Sequence, residues 1–346
     1  MTLRLVRVPL PEVPWSDLDD RPDRTVFQTR DWLDVLHETQ GAEAVVARVQ
    51  AGERVVGWFT GAVVRRYGVR ILGSPLPGWT TSYMGFNLDD PGRYPEALDA
   101  VRRFAFGPLG CLHLELMDRA APVGGPLPAG FTAGSLPGFE LALDRSDDEL
   151  LAAMTPHGRR DVRRSGRNGI TVEEVPPGDH DGFVEEYYAQ VSSAFAKRGL
   201  APTYPPERVA AVLRHLDHRA LLVLRARTSD GVPAATGIFP GRVGGTAVFW
   251  MGASDRDLQR LLPNEALMGH ALRSWRDRGA VRFDFGGGGT YKAKYGGTPI
   301  AVPWLRSSRL PAIERARGII RRRARSAQRG GVRGGPGPGD AGPGAG

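Results

Sequence analysis

A chain of 346 residues with 41% apolar content is longer than one hydrophobic core commonly serves, so two packed units are expected. The net charge of +8 suggests a nucleic-acid binder until it is divided along the chain. Arg306 to the C-terminus holds ten Arg against Glu314 and Asp340, while residues 1–305 balance 36 basic with 36 acidic groups, which excludes a basic folded body and assigns the basicity to the tail.

At the N-terminus, Pro9, Pro11 and Pro14 interrupt the apolar run that a signal peptide needs, and no later stretch approaches the roughly 20 apolar residues of a membrane span. A cytoplasmic protein is expected. A first helix is predicted over 31–39, followed by an antiparallel meander of three strands over 44–75, rich in Val, Ile, Phe and Trp with Gly-containing turns. The loop GSPLPGWTTSYMGF (73–86) carries Trp79, Tyr83 and Phe86. It reads either as an exposed aromatic loop lining an acceptor cleft, with Trp79 and Tyr83 as substrate contacts, or as a packed surface loop. A helix over 94–106 and a strand over 111–117 follow. The sole cysteine, Cys111, lies in the apolar run CLHLEL, where a buried and inert thiol is expected and no internal disulfide is possible.

The Pro/Gly-rich stretch 120–138 divides the chain into an N-terminal domain, 1–135, and a second domain, 136–310. The second opens with GRRDVRRSGRNG, where Arg160, Arg163, Arg164 and Arg167 recur at helical spacings and form a cationic stripe. Such a stripe suits bidentate contacts to phosphate, with Arg160 and Arg163 as the chosen ligands; a solvated helical face is the alternative. A helix over 181–197 aligns Phe183, Val184, Tyr187, Tyr188, Val191 and Phe195 as a core-facing stripe. A second meander over 220–254 repeats the first, and a helix over 264–278 with Asn264 as N-cap leads into a strand over 281–285.

FDFGGGGTYKAKYGG (283–297) then places Phe283 and Phe285 on one side of a strand and Asp284 on the other. The glycines after them let a backbone approach a ligand closely. Lysine occurs only at 197, 292 and 294, so two of three fall in this segment. Asp284 either orients Lys292 or takes a proton from an attacking amine, or it is a structural carboxylate at a strand end. Beyond Pro311 a short helix and then a disordered basic Gly/Pro/Arg-rich tail, 311–346, are expected, with contacts to anionic surfaces as its possible use. No pair among the seven His stands at metal-ligand spacing with matching Cys or carboxylates, and no Gly-x-Ser-x-Gly elbow is present, so neither a metal nor a serine nucleophile is expected.

The order helix, three antiparallel strands, helix, strand, appearing twice, together with GRRDVRRSGRNGI (158–170), GVPAATGIF (231–239), SWRDRGAVRFDFGG (274–287) and YKAKYGG (291–297), resembles the GNAT acyltransferase superfamily. It is similar in particular to the tandem-domain FemABX-like and cellulose-synthesis-associated acyltransferases. The resemblance implies an α/β fold of two tandem GNAT-like domains, each a largely antiparallel mixed sheet flanked by helices. It implies transfer of an acyl or aminoacyl group to an amine or hydroxyl by direct attack, with Lys292, aided by Tyr291, meeting substrate charge and the charge developing in the transition state. No tightly bound cofactor is implied; the donor is a co-substrate, acyl-CoA or aminoacyl-tRNA, and the acceptor a small or nucleotide-linked molecule in cell-envelope biogenesis. One departure bears on the donor: the Gln/Arg-x-x-Gly-x-Gly/Ala cradle that CoA-dependent members present is replaced by GASDRDLQRLLPNEALMGHAL (252–272). A catalytically silent envelope-synthesis binding protein, and a nucleic-acid binder acting through the tail, are the rival expectations.

Overall fold

The computed structural model describes residues 2–310 except 67, 126, 197, 198 and 288, so the tail expected over 311–346 lies outside the described residues. In chain order the elements are β1 (Leu3–Val8), α1 (Trp15–Asp19), α2 (Arg30–Gln40), β2 (Glu43–Ala51), β3 (Arg54–Arg66), β4 (Val69–Ser74), β5 (Gly85–Leu88), α3 (Tyr94–Phe106), β6 (His113–Met117), β7 (Phe131–Ala142), α4 (Asp147–Ala153), α5 (Pro156–Arg167), β8 (Thr171–Glu174), α6 (His180–Ala196), α7 (Pro206–His215), β9 (Leu221–Arg227), β10 (Pro233–Pro240), β11 (Thr246–Val248), β12 (Met251–Ser254), α8 (Pro263–Asp277), β13 (Arg282–Gly287) and β14 (Thr298–Ser308). This is a mixed α/β protein. Among the described residues no helix is long and apolar enough to cross a membrane.

Two compact units form, and compactness does not follow chain order. The described residues of the first are 2–13, 42–136 and those from 302 on; those of the second are 14–41 and 137–301. The first unit is built on β1-β2-β3-β4-β6, antiparallel except for the parallel pair β4 and β6, with β5 beside β3. Its core sets Val45, Ala47 and Val49 of β2 and Phe59 and Val63 of β3 against Ala97, Leu98, Val101 and Phe104 of α3. The small residues at 97, 100 and 105 let α3 lie close to the sheet, and each large apolar side chain so buried contributes roughly 1.5–3 kcal/mol. Cys111 is buried here, and burial pushes its thiol up to about 11, as an inert core cysteine requires.

The helix predicted ahead of the first meander forms as α2, with the Thr29 hydroxyl accepting from Trp32 N at 3.4 Å and Gly41 closing it at φ 60°. It packs in the second unit because its apolar face finds its partners there. Trp32 is fully buried and meets Trp250 edge-on at 5.7 Å, and Glu38 pairs with Arg214 and, at 2.7 Å, with His215 of α7.

The second unit carries a sheet β12-β10-β9-β8, all antiparallel, and the strands β7 and β13, antiparallel to each other, with β11 parallel to β13. The second meander therefore departs from the first. Its expected third strand is divided into β11 and β12, which belong to different sheets. Between them Phe249 N donates to Asp284 O at 2.8 Å and Trp250 N to Ile238 O at 3.1 Å, so consecutive residues bond to opposite sides of the opening. Phe249 stacks on Phe239 at 5.4 Å, which holds the division in place. On α6, Phe183, Tyr187 and Val191 of the predicted stripe are buried while Val184, Tyr188 and Phe195 are half-buried, and Gln190 joins the buried face, accepting from Thr236 Oγ1 at 2.8 Å.

Candidate active site

The Gly-rich segment begins where β13 leaves the core. Phe283 and Phe285 are fully buried with their rings 5.0 Å apart, and Asp284 points the other way at 2% exposure. Asp284 Oδ1 accepts from Gly286 N at 2.6 Å, and the backbone turns there at φ +74°. A side chain at 286 would be strained by that φ, and its Cβ would sit 3.3 Å from Phe249 O. The carboxylate and the glycine together redirect the chain beneath the division between β11 and β12.

After the loop, 290–295 form a short 3-10 helical turn of six residues that presents Lys292 inward. Only 4% of Lys292 is exposed, its ammonium donates to Gly287 O, and it lies 5.9 Å from the Tyr291 ring centroid. Burial lowers its pKa to about 8, against the opposing pull of the Asp284 carboxylate. The structure thus brings Lys292, Asp284 and Tyr291 together. Tyr291, at 39% exposure, flanks the ammonium from the solvent side.

The turn is fastened from two sides. Lys294 Nζ pairs with Glu265 Oε1 of α8 at 2.6 Å, and Tyr295 stacks on Phe285 at 6.1 Å. Lys294 O accepts from Thr155 N at 3.0 Å, and a Cβ on Gly158 would fall 2.2 Å from that same oxygen. Glycine at 158 is therefore what allows α5 to lie directly against the turn. Thr155 caps α5 by accepting from Gly158 N at 3.1 Å, and Pro156 occupies the first helical position, where its missing N–H is harmless.

Arg160, Arg163, Arg164 and Arg167 are all exposed on α5, and they do not share one concavity. A shallow depression of about 470 Å³ is lined by Pro156, Arg159, Arg160, Arg163 and Arg167. The helical advance of 100° per residue turns Arg164 away and brings in Arg159, which the spacing argument passed over. The sequence reading also missed Glu265 and the pair His157 and Asp161. Asp161 is 5% exposed and holds His157 Nε2 at 2.9 Å, an i,i+4 relation legible in HGRRD.

Helix α8 begins one residue earlier than predicted, and Asn264 is not its cap. Leu262 precedes the helix at φ 67° and Pro263 takes the first position, while Asn264 Nδ2 donates to Ser254 Oγ at 3.0 Å. The approach to α8 is a tight turn whose amides are engaged: Leu261 N donates to Leu258 O at 2.9 Å and Leu262 N to Gln259 O at 3.0 Å. Pro263 lacks an N–H, so the first position of α8 donates nothing to a ligand.

Trp79 and Tyr83 belong to the first unit and are each 1% exposed, so the 73–86 loop is packed rather than open. Its return is pinned by Met84 N donating to Met117 O at 2.9 Å, and Arg119 Nη1 donates to the Tyr83 hydroxyl at 3.2 Å.

Residues 156–295 match the family model described as an acetyltransferase (GNAT) domain. In fold the chain is similar to the crystal structure of FemX, with a TM-score of 0.68 at 14% identity over 87% of this chain and 96% of that one. It is also similar to the C-terminal domain of a putative lysylphosphatidylglycerol synthetase from Agrobacterium fabrum (0.50, 14%, 86% and 91%). A third similarity is to a conserved protein of unknown function from Bacteroides thetaiotaomicron VPI-5482 (0.53, 11%, 89% and 100%). At these identities the likeness is one of fold. No curated protein sequence matches the chain.

Proposed function

We propose that this chain, whose residues 156–295 match the acetyltransferase (GNAT) domain model, transfers an aminoacyl group from an ester donor of the aminoacyl-tRNA kind to an amine on a phosphate-bearing acceptor. The observation that carries the proposal is the buried Lys292 ammonium, held in the Gly loop directly beside the Arg-bearing helix. In a direct attack the amine nitrogen adds to the acyl carbon and the carbonyl oxygen gains negative charge. A cation fixed in a dry site meets that charge without reorganisation, which is the most effective form of electrostatic catalysis. At pH 7 a lysine with a pKa of about 8 is mostly protonated and so fit for that role. Asp284 positions the loop through Gly286, and Tyr291 screens Lys292 from solvent.

The depression lined by Arg159, Arg160, Arg163 and Arg167 supports a phosphate-bearing partner, since four guanidinium groups on one face repel one another until an anion arrives. The engaged amides of Leu261 and Leu262 ahead of α8, and Pro263 at its first position, favour an ester donor over acetyl-CoA, whose pyrophosphate would look for free N–H groups there. The test is incubation with labelled aminoacyl-tRNA and, separately, labelled acetyl-CoA, each with a phosphate-bearing primary amine. Transfer from the tRNA ester that falls about tenfold or more in Lys292→Ala supports the reading. Transfer from acetyl-CoA alone overturns the donor assignment, and transfer from neither favours a silent binding module.

A further inference from the structure

Beside the Lys292 turn, the pair His157 and Asp161 has no part in the proposed transfer so far. His157 sits in the first turn of α5, between Thr155, whose N–H bonds to Lys294 O, and Gly158, which packs against that oxygen. Its side chain is 65% exposed, whereas the Asp161 carboxylate that holds its Nε2 at 2.9 Å is 8% exposed. The other ring nitrogen, Nδ1, lies 2.6 Å from Arg160 Nη2. Arginine only donates, so Nδ1 carries the lone pair here and the proton is on Nε2, facing Asp161. Arg160 is itself 62% exposed, with Asp161 Oδ1 at 3.7 Å as its other neighbour.

We propose that His157 is the proton acceptor for the attacking amine, positioned by Asp161, and that Arg160 covers its Nδ1 until a phosphate on the acceptor draws the guanidinium away. The inference rests on the acyltransferase reading. In the step, the neutral amine nitrogen bonds to the acyl carbon and the bond from that carbon to the ribose oxygen breaks. The proton lost by the amine passes to Nδ1 and then to the departing oxygen. Asp161 stabilises the imidazolium formed in between, as a buried carboxylate does in other oriented His pairs. The same phosphate that binds the acceptor thereby exposes the base, so proton removal is coupled to occupancy of the Arg-lined depression.

Two measurements test this. With aminoacyl-tRNA and O-phosphoethanolamine, His157→Gln lowers kcat about 100-fold with little change in KM, Asp161→Asn lowers it less, and added imidazole restores part of the rate in His157→Gly. Wild-type kcat in His157→Gln overturns the proposal. By 15N NMR of the full chain, titration with inorganic pyrophosphate moves the His157 Nδ1 resonance toward its position in Arg160→Gln; an Nδ1 resonance that ignores pyrophosphate overturns the coupling. A wild-type protein that transfers from no donor overturns the acyltransferase reading instead, and the NMR titration then still decides whether anions open the contact between Arg160 and His157.

Discussion

Replacing Lys292 by Met separates what the ammonium does for chemistry from what it costs the fold. The pKa falls from 10.5 to about 8 because burial disfavours the charge more than the Asp284 carboxylate restores it. At 1.36 kcal/mol for each tenfold in proton affinity, the folded protein holds about 3 kcal/mol against the protonated form. The sign follows from linkage. Between about pH 8 and 10.5 the unfolded chain keeps this proton and the folded chain has lost it, so wild-type stability rises with pH through that window and is flat below it. Met has nearly the same length and no charge, and its main loss is the hydrogen bond to Gly287 O, worth about 1 kcal/mol. Lys292→Met should therefore be more stable than wild type by about 2 kcal/mol at pH 7, with the gain shrinking toward pH 10, and should be inactive. Urea unfolding at pH 7 and pH 9.5, with turnover measured alongside, checks both halves. A variant less stable than wild type at pH 7, with no narrowing of the difference at pH 9.5, would refute the claim that burial of this charge is opposed by the fold.

Gly158→Ala should force α5 away from the turn, because its Cβ would lie 2.2 Å from Lys294 O; a loss of about 1–3 kcal/mol in the unfolding midpoint together with a fall in kcat is expected. Glu265→Gln leaves the Lys294 ammonium without its carboxylate at a largely buried site, and denaturation at pH 7 should record a loss of about 1–3 kcal/mol. The double variant Arg159→Gln and Arg163→Gln should raise KM for a phosphate-bearing acceptor about tenfold and flatten its salt dependence, with kcat changed far less. Tyr83→Phe should leave KM and kcat unaltered while lowering stability by about 1 kcal/mol, since its hydroxyl serves Arg119 inside the first unit.

Much of the architecture was legible because it rests on local periodicity. The first meander, the helix at 94–106 and the alternation of Phe283, Asp284 and Phe285 follow from side-chain period and turn residues, and each appears at its expected place. Errors fell where a neighbour in sequence competes with a local rule. Asn264 is a sound capping residue by type, but Pro263 needs the first helical position and displaces the start of α8. The stripe at 160, 163, 164 and 167 obeyed helical spacing, yet which flank of a stripe faces a depression depends on what the helix leans against. Trp79 and Tyr83 read equally as contacts or as core, and burial of both decides for packing.

What the sequence determined by itself was the inventory of the site: a charge-neutral body, a repeated α/β order, and two of the chain's three lysines placed in one Gly-rich segment. Tertiary structure decided what that inventory means. Division of the second meander's last strand, the packing of α2 into the second unit, and the contact of Gly158 with Lys294 O all join residues through space. Periodicity reports which face of an element is apolar. The depth to which a charge is buried, and so the pKa of about 8 that suits Lys292 to its proposed task, is set by neighbours that no spacing along the chain encodes.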